Sequence, residues 1–262
     1  MGASYMDYIV VDPVLVPSER EDEYSEKLVH LPNCYMPGDD KRTIARAPSR
    51  TEAGLPERGF VFCSFNSIAK IVPPMFDTWM RLLRNIEGSV LWLSSARSTA
   101  VDNLRREAQA RGVEGSRLVF APFLAEAEQH LARLSLADLF LDSLPYNAHA
   151  GGSDALWAGV PIVTCKGTTF AGRVGASLLI AIGLPDLIAE DLEAYEGLAL
   201  KLAREPEKLA SVKATLSRNR GTEPLFDTKR FTRDIEAAYL AMWERHQRGE
   251  APAQMPVDRR SR

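Results

Sequence analysis

Cysteine, histidine and long apolar runs are scarce in this chain, and each scarcity closes off a class of chemistry. The three cysteines, Cys34, Cys63 and Cys165, are widely separated, form no CxxC pair and have no histidine at metal-ligand spacing. They therefore suit neither a zinc site nor a disulfide framework and read as buried thiols in a reducing compartment. No stretch approaches the roughly 18 apolar residues that cross a bilayer, and the amino terminus lacks a basic-then-apolar leader pattern. The expectation is a cytoplasmic protein with no membrane partner. A formal net charge of −3 supplies no general attraction to nucleic acid, so no nucleic-acid partner is expected either. No 34-residue period is present, which leaves out tetratricopeptide units. No GxGxxG follows the first core strand, which argues against a nicotinamide-dependent dehydrogenase.

What is present is enough apolar material, 45% of 262 residues, for one good core with at most a small satellite. From Gly59 onward a strand–helix unit repeats, as it does in a parallel sheet with crossover helices. Strands are predicted at 60–65, 89–93, 117–120, 139–141 and 160–164. Helices are predicted at 73–86, 99–111 (ended by Gly112), 126–134, 155–159, 170–182, 192–204, 206–218 and 228–247. The last is amphipathic through Phe231, Ile235, Ala238, Tyr239 and Met242 and needs an apolar surface to lie on. Ahead of this unit, 8–12 and 27–31 read as short strands with too few partners for a sheet of their own, and 18–23 as a solvated turn. Residues 37–58 have a linker composition. The division expected is 1–58 as connector and remnant strands, 59–227 as a Rossmann-like unit, 228–247 as a crossing helix and 248–262 as a disordered tail.

In an open parallel sheet, ligands bind beyond the carboxyl ends of the strands, where loops and helix amino termini gather. Three loops qualify, after Phe65, Phe120 and Asp142. The third is the most informative: Ser143-Leu144-Pro145-Tyr146-Asn147-Ala148-His149-Ala150-Gly151-Gly152-Ser153-Asp154. Its small residues let main-chain N–H groups at a helix start face a ligand, and the helix dipole there favours negative charge, so the loop suits a phosphate. His149 can donate to a phosphoryl oxygen, or merely satisfy backbone groups in the loop. Asp154 can accept from sugar hydroxyls, or act as a first-turn capping residue worth about 0.3–1 kcal/mol. Lys70 can neutralise a departing diphosphate, or be a solvated lysine near a helix start. His130 on an amphipathic helix can be an ordinary surface or core group. None of the three loops carries a DxD-type metal motif. Trp79, Trp92, Trp157 and Trp243 all read as packing residues. Arg173 reads as an internal partner for an acid such as Asp142. His30 and His246 have no context that assigns them a role.

These segments, together with Phe65-Asn66-Ser67-Ile68-Ala69-Lys70, Ser89-Val90-Leu91-Trp92-Leu93 and Phe170-Ala171-Gly172-Arg173-Val174-Gly175-Ala176-Ser177, resemble the carboxy-terminal catalytic lobe of the O-linked N-acetylglucosamine transferase and SPINDLY family in its bacterial form. The resemblance runs from about Met6 to about Trp243. It implies an α/β fold, a Rossmann-like parallel sheet with flanking helices forming the C-terminal lobe of a GT-B glycosyltransferase. It further implies a donor-binding lobe of an inverting, metal-independent protein O-glycosyltransferase that uses UDP-N-acetylglucosamine on Ser and Thr hydroxyls, with no cofactor. The protein acceptor would be engaged by a first lobe and tetratricopeptide repeats that the chain lacks. Carried over by motif, Lys70 and His149 become the catalytic pair. Asn66, Ser67, Ala150, Gly151 and Gly152 then line the diphosphate, Asp154 meets the ribose, His130 stacks on the base, and Leu124 or Ala125 meets its edge. The chain departs from the animal members at several points. Serine replaces glutamine at 67, Ala150-Gly151 replaces two threonines, the loop before His130 is one residue longer, and a lysine of that loop has no counterpart beside Glu126. Two further readings remain open: a SPINDLY-like O-fucosyltransferase using GDP-fucose, and a non-catalytic nucleotide-sugar-binding module.

Overall fold

A computed structural model describes residues 2–256 of the chain. Its centre is a six-stranded sheet built from β3 (Val61–Ser64), β4 (Val90–Leu93), β5 (Leu118–Phe120), β6 (Leu139–Leu141), β7 (Ile162–Cys165) and β8 (Ile188–Ala189). The spatial order is β5-β4-β3-β6-β7-β8, and every pairing is parallel. β3, β4, β6 and β7 are buried along their whole length because helices cover both faces, which is why they read as unbroken apolar runs. Crossovers are made by α1 (Pro73–Asn85), α2 (Ser98–Ala110), α3 (Ala127–Leu134), α4 (Ala150–Trp157) and α5 (Val174–Ala181). The two prolines that open α1 need no intrahelical N–H there, and its Met75, Phe76, Trp79, Met80, Leu82 and Leu83 turn one face into the core. Gly112, at φ +76°, takes the left-handed step that closes α2, as expected.

The chain runs outward from β3 to β5, then returns to lay β6 on the other side of β3 and runs outward again to β8. The order therefore reverses between β3 and β6. At such a point two neighbouring crossovers leave on opposite faces and open a crevice at the carboxyl ends of the strands. The loops after β3 and β6 carry Lys70 and His149.

Beyond β8 come α6 (Leu192–Arg204), α7 (Pro206–Asn219) and α8 (Thr228–Gln247). The strands at 8–12 and 27–31 do form a sheet: β1 (Tyr8–Val11) and β2 (Lys27–His30) pair in parallel, and β9 (Met255–Pro256) adds to β2. The missing partner comes from the segment expected to be disordered; residues 257–262 of that segment lie outside the described residues. Phe231, Ile235, Ala238 and Met242 of α8 lie on Val29, Leu31, Tyr8, Val10 and Met255, so this small sheet is the apolar surface that the helix needs. Tyr239, expected in the stripe, and Trp243 each follow a stripe residue by one position, about 100° round the helix, and are 59% and 58% exposed rather than packed. Trp79 and Trp92 are buried as expected, and Trp157 is half-buried. Residues 170–173 form a turn instead of the first turn of α5, closed by Gly172 and Arg173 N–H groups on the carbonyls of Thr169 and Phe170.

The 37–58 segment carries no helix or strand, yet it is a packed strap. Leu55 is buried, Arg50 donates to the Gly59 carbonyl (2.8 Å) and pairs with Asp138 (3.2 Å), and the Ala45 N–H donates to the Glu128 carbonyl (3.2 Å).

Candidate functional site

The turn after β3 begins with Asn66, which is buried, and ends with Lys70 in a single 3-10 turn (Ile68–Lys70) that points the lysine across the crevice. Its ammonium donates to the Asn147 carbonyl (2.8 Å) and to Asn66 Oδ1 (3.3 Å), and lies 4.1 Å from the centre of the Tyr146 ring. Asn66 completes the bridge by donating from Nδ2 to Ser143 Oγ (3.1 Å). Burial lowers the Lys70 pKa, and the negative charge of Asp142 opposes that shift.

From the other side, the loop after β6 leads into α4, with His149 as its N-cap residue. The His149 carbonyl takes the N–H groups of Gly152 (3.0 Å) and Ser153 (3.1 Å), and no side chain caps the helix. The N–H groups of Ala150 and Gly151 precede that first closure and have no carbonyl a turn earlier within the helix. Gly151 faces open space, since a Cβ built on it meets nothing within 4 Å. Gly152 behaves differently: its Cβ would stand 3.0 Å from Leu178 Cδ1, so that glycine serves close packing of α4 on α5. The His149 ring stacks on Tyr146 (centroids 4.8 Å, 22°), and its Nε2 is buried without a partner among the described residues. Burial pushes its pKa down, and the nearby Lys70 charge acts in the same direction against the favourable Ala171 carbonyl. The ammonium of Lys70, the imidazole of His149 and the open start of α4 thus meet at one spot, with Tyr146 touching both side chains.

His130 stands on α3, its ring 5.7 Å from that of Phe65. Arg133 donates from Nη2 to its Nδ1 (2.9 Å). A guanidinium can only donate, so Nδ1 is the acceptor and the ring is neutral with its proton on Nε2. Burial first, then the Arg133 charge, lowers its pKa, while Asp154 opposes them, which puts α3 and α4 on one electrostatic neighbourhood. Leu124 and Arg133, with Trp92, Pro122, Gln129 and strap residues Ala45 to Pro48, line a cavity of about 610 Å³ beside this ring. The indole Nε1 of Trp92 and Nε of Arg133 in its wall have no partner among the described residues. Ser67 and Ala125 are both exposed, and the Ser67 carbonyl accepts the Lys70 N–H (2.9 Å).

Two sequence expectations change. Asp154 is the fifth residue of α4, not a first-turn cap, and its carboxylate pairs with Arg42 of the strap (2.5 Å). That guanidinium also lies over Trp157 (5.3 Å), whose indole N–H donates to the Arg42 carbonyl (3.2 Å). Arg173 does not pair with Asp142. It donates from Nε to the Val14 carbonyl (2.6 Å) and reaches the Gly167 carbonyl (3.5 Å), because the Asp142 carboxylate is enclosed by other donors. Asn147, Ser143, Tyr146 and Arg42 were not singled out by sequence reasoning. The one available signal was that three of them share the loop with His149. Nothing in a linker-like composition points to Arg42.

Among the described residues no group of three or more His, Cys, Asp or Glu is placed to hold a metal ion, and no helix is long and apolar enough to cross a membrane.

The sequence pattern of glycosyl transferase family 41 matches residues 1–48 and 45–235. A probable UDP-N-acetylglucosamine–peptide N-acetylglucosaminyltransferase, SEC, of Arabidopsis thaliana is 38% identical over 98% of this chain, which spans 27% of that protein. The UDP-N-acetylglucosamine–peptide N-acetylglucosaminyltransferase of Caenorhabditis elegans is 36% identical over 80% of this chain and 18% of its own length. Among solved structures, a mutant of the Thermobaculum terrenum O-GlcNAc transferase superposes with a TM-score of 0.82 at 33% identity, covering 91% of this chain and 45% of that one. Anabaena HepE, solved with UDP and glucose, shares the fold at a TM-score of 0.61 and 15% identity, over 89% of this chain and 71% of that one. The chain therefore spans 18–27% of the length of these two curated relatives.

Proposed function

The chain belongs to glycosyl transferase family 41, and from that membership we propose that its six-stranded unit holds the UDP-N-acetylglucosamine donor of an inverting, metal-independent protein O-glycosyltransferase. The observation that carries this reading is the meeting of Lys70, His149 and the uncapped start of α4 at the switch point of the sheet. In the displacement, an acceptor Ser or Thr oxygen forms a bond to the anomeric carbon as the bond from that carbon to the β-phosphate oxygen breaks. The electron pair leaves on the diphosphate. The Lys70 ammonium and the N–H groups of Ala150 and Gly151 offset that growing charge; His149, whose other ring nitrogen is engaged by the Ala171 carbonyl, donates from Nε2 once its ring is protonated. Loss of the two family threonines at 150 and 151 leaves this task to the backbone. The acceptor proton goes to a base outside this chain.

The nucleoside then lies toward α3. A neutral His130 ring suits stacking on the base, with the Leu124 and Ala125 loop and the cavity at its edge. Asp154, held by Arg42, keeps a second oxygen for the ribose hydroxyls. Cytoplasmic residence and a protein acceptor bound by further domains complete the reading.

Calorimetric titration with UDP, GDP, NAD and the UDP- and GDP-sugars tests it. UDP binding with GDP at least about tenfold weaker is expected. Preference for GDP moves the chain to the fucosyltransferase reading. UDP binding without any transfer once the other domains are supplied leaves a binding module. Preference for NAD refutes the donor site.

A further inference from the structure

We propose that Asp142, at the end of β6, is the positioning residue of the diphosphate loop: its buried carboxylate ties down both ends of residues 143–148, and so fixes where Lys70 and the start of α4 stand. This rests on the donor-site reading given above.

The carboxylate is 1% exposed and touches the site only through the loop. One oxygen, Oδ1, accepts the N–H of Ser143 (2.8 Å), where the loop leaves the sheet, and the N–H of Ala148 (2.6 Å), one residue before His149. The other, Oδ2, accepts the hydroxyl of Thr164 (2.7 Å) on the neighbouring strand β7, which anchors the carboxylate to the sheet. Space is tight around it: a Cβ at Gly175 would lie 2.4 Å from both Asp142 Oδ2 and Thr164 Oγ1, so α5 packs directly on this pair. The Asp142 carbonyl is fixed too, by the Tyr195 hydroxyl (2.9 Å).

The order imposed at Asp142 passes along the loop. Ser143 Oγ donates to the Tyr146 carbonyl (2.8 Å), and Asn147 Nδ2 donates to the Ser143 carbonyl (2.8 Å). Asn147 Oδ1 receives the Gly175 N–H (3.1 Å), and its carbonyl receives the Lys70 ammonium. Every group assigned to the diphosphate is therefore within a few bonds of the carboxylate, although a ligand in the crevice would not touch it. Burial pushes Asp142 up to about 6, against the pull of its donors and of the Lys70 charge. A buried carboxylate under an anion site works against both stability and binding by charge alone. Its geometric task is what offsets that.

The two contributions have opposite signs, and substitutions separate them. In Asp142→Asn the amide oxygen still accepts both loop N–H groups while Nδ2 donates to Thr164 Oγ1, so the geometry stays and the charge goes. Asp142→Ala removes both, and Thr164→Val frees one end of the carboxylate. UDP and uridine are titrated into the full chain and each variant by calorimetry, with circular dichroism to confirm folding. We expect Asp142→Asn to hold UDP within about threefold of the parent or more tightly. Asp142→Ala should lose about tenfold or more for UDP and less than about twofold for uridine, because only the diphosphate half of the ligand meets the loop. Folded Asp142→Ala that keeps full UDP affinity, equal losses for UDP and uridine, or equal losses in the Asn and Ala variants would each overturn the proposal. If Asp142→Ala does not fold, Thr164→Val decides: a selective UDP loss supports the positioning role, and unchanged UDP binding removes it. A parent chain that binds no UDP refutes the donor reading itself, a result distinct from all of these.

Discussion

Asp142→Asn should stabilise the fold at neutral pH and do so by an amount that grows with pH. The carboxyl has an ordinary value of 3.8 and is raised by burial to about 6. Between those values the folded chain holds a proton that the unfolded chain has released, so its stability falls as pH rises through that window. A raised acid thus contributes its full stability below the unfolded value and has lost it above the folded one. Two pH units at about 1.4 kcal/mol each give a penalty of about 3 kcal/mol at pH 7. Asparagine keeps the acceptor for Ser143 and Ala148 and carries no such titration. Urea unfolding of both proteins at about pH 4, 5, 6 and 7 reads the difference directly, and other titrating groups cancel in the subtraction. The difference should be near zero at the acid end and reach about 3 kcal/mol in favour of asparagine at neutrality. A second arm checks the cause: Lys70→Ala removes a charge that holds the Asp142 value down, so the fall should move to higher pH. A flat difference, or one that turns in favour of aspartate as pH rises, would mean that Thr164, Ser143, Ala148 and Lys70 together outweigh desolvation, and the reasoning would be refuted.

Lys70→Ala should weaken UDP by about 10- to 100-fold, the worth of one charge-assisted contact, with uridine unchanged; equal losses for both ligands in calorimetry would remove the lysine from the phosphate site. Arg42→Ala breaks the ion pair with Asp154 and uncovers the Trp157 face, at a cost of about 1–2 kcal/mol in urea unfolding. An unchanged midpoint there would show that the strap does not clamp α4. Trp243→Ser should alter stability by less than about 0.5 kcal/mol, whereas Trp79→Ala should cost about 3–5 kcal/mol. Similar costs for the two would place α8 the wrong way round on its sheet.

The parallel unit was legible from Gly59 onward, apart from the two-residue edge strand β8, because its signals are local. Buried strands are short apolar runs, and the prolines of α1 and Gly112 after α2 mark helix ends. The loop after β6 was legible for the same reason, since small residues before a helix have few uses. Other parts depend on contacts that no window of sequence contains. β9 pairs with β2 across more than two hundred residues, so two strands without visible partners became a sheet only once the chain returned. The strap offered charge and proline, which read as solvated linker, while its Arg42 finds Asp154 and Trp157 more than a hundred residues away. Trp243 was misread because aromatic content alone does not give direction on a helix. Its neighbour Met242 takes the buried position.

The same division explains why Lys70 and His149 stand out in the sequence while the partners of Asp142 do not. A site that grips an anion by main-chain amides places few demands on the side chains that face the ligand, which is how Ala150 and Gly151, with no polar side-chain atom, can serve at the proposed site. The demand moves behind the loop. Amides bind a diphosphate only when they converge, convergence requires the loop ends to be fixed, and here one carboxylate takes the N–H at each end. An arginine such as Arg173 can neutralise that carboxylate but cannot replace two N–H groups and a hydroxyl held in a pocket with no room for a Cβ at Gly175. On the proposed reading, control over the site lies with a carboxylate that does not touch its ligand.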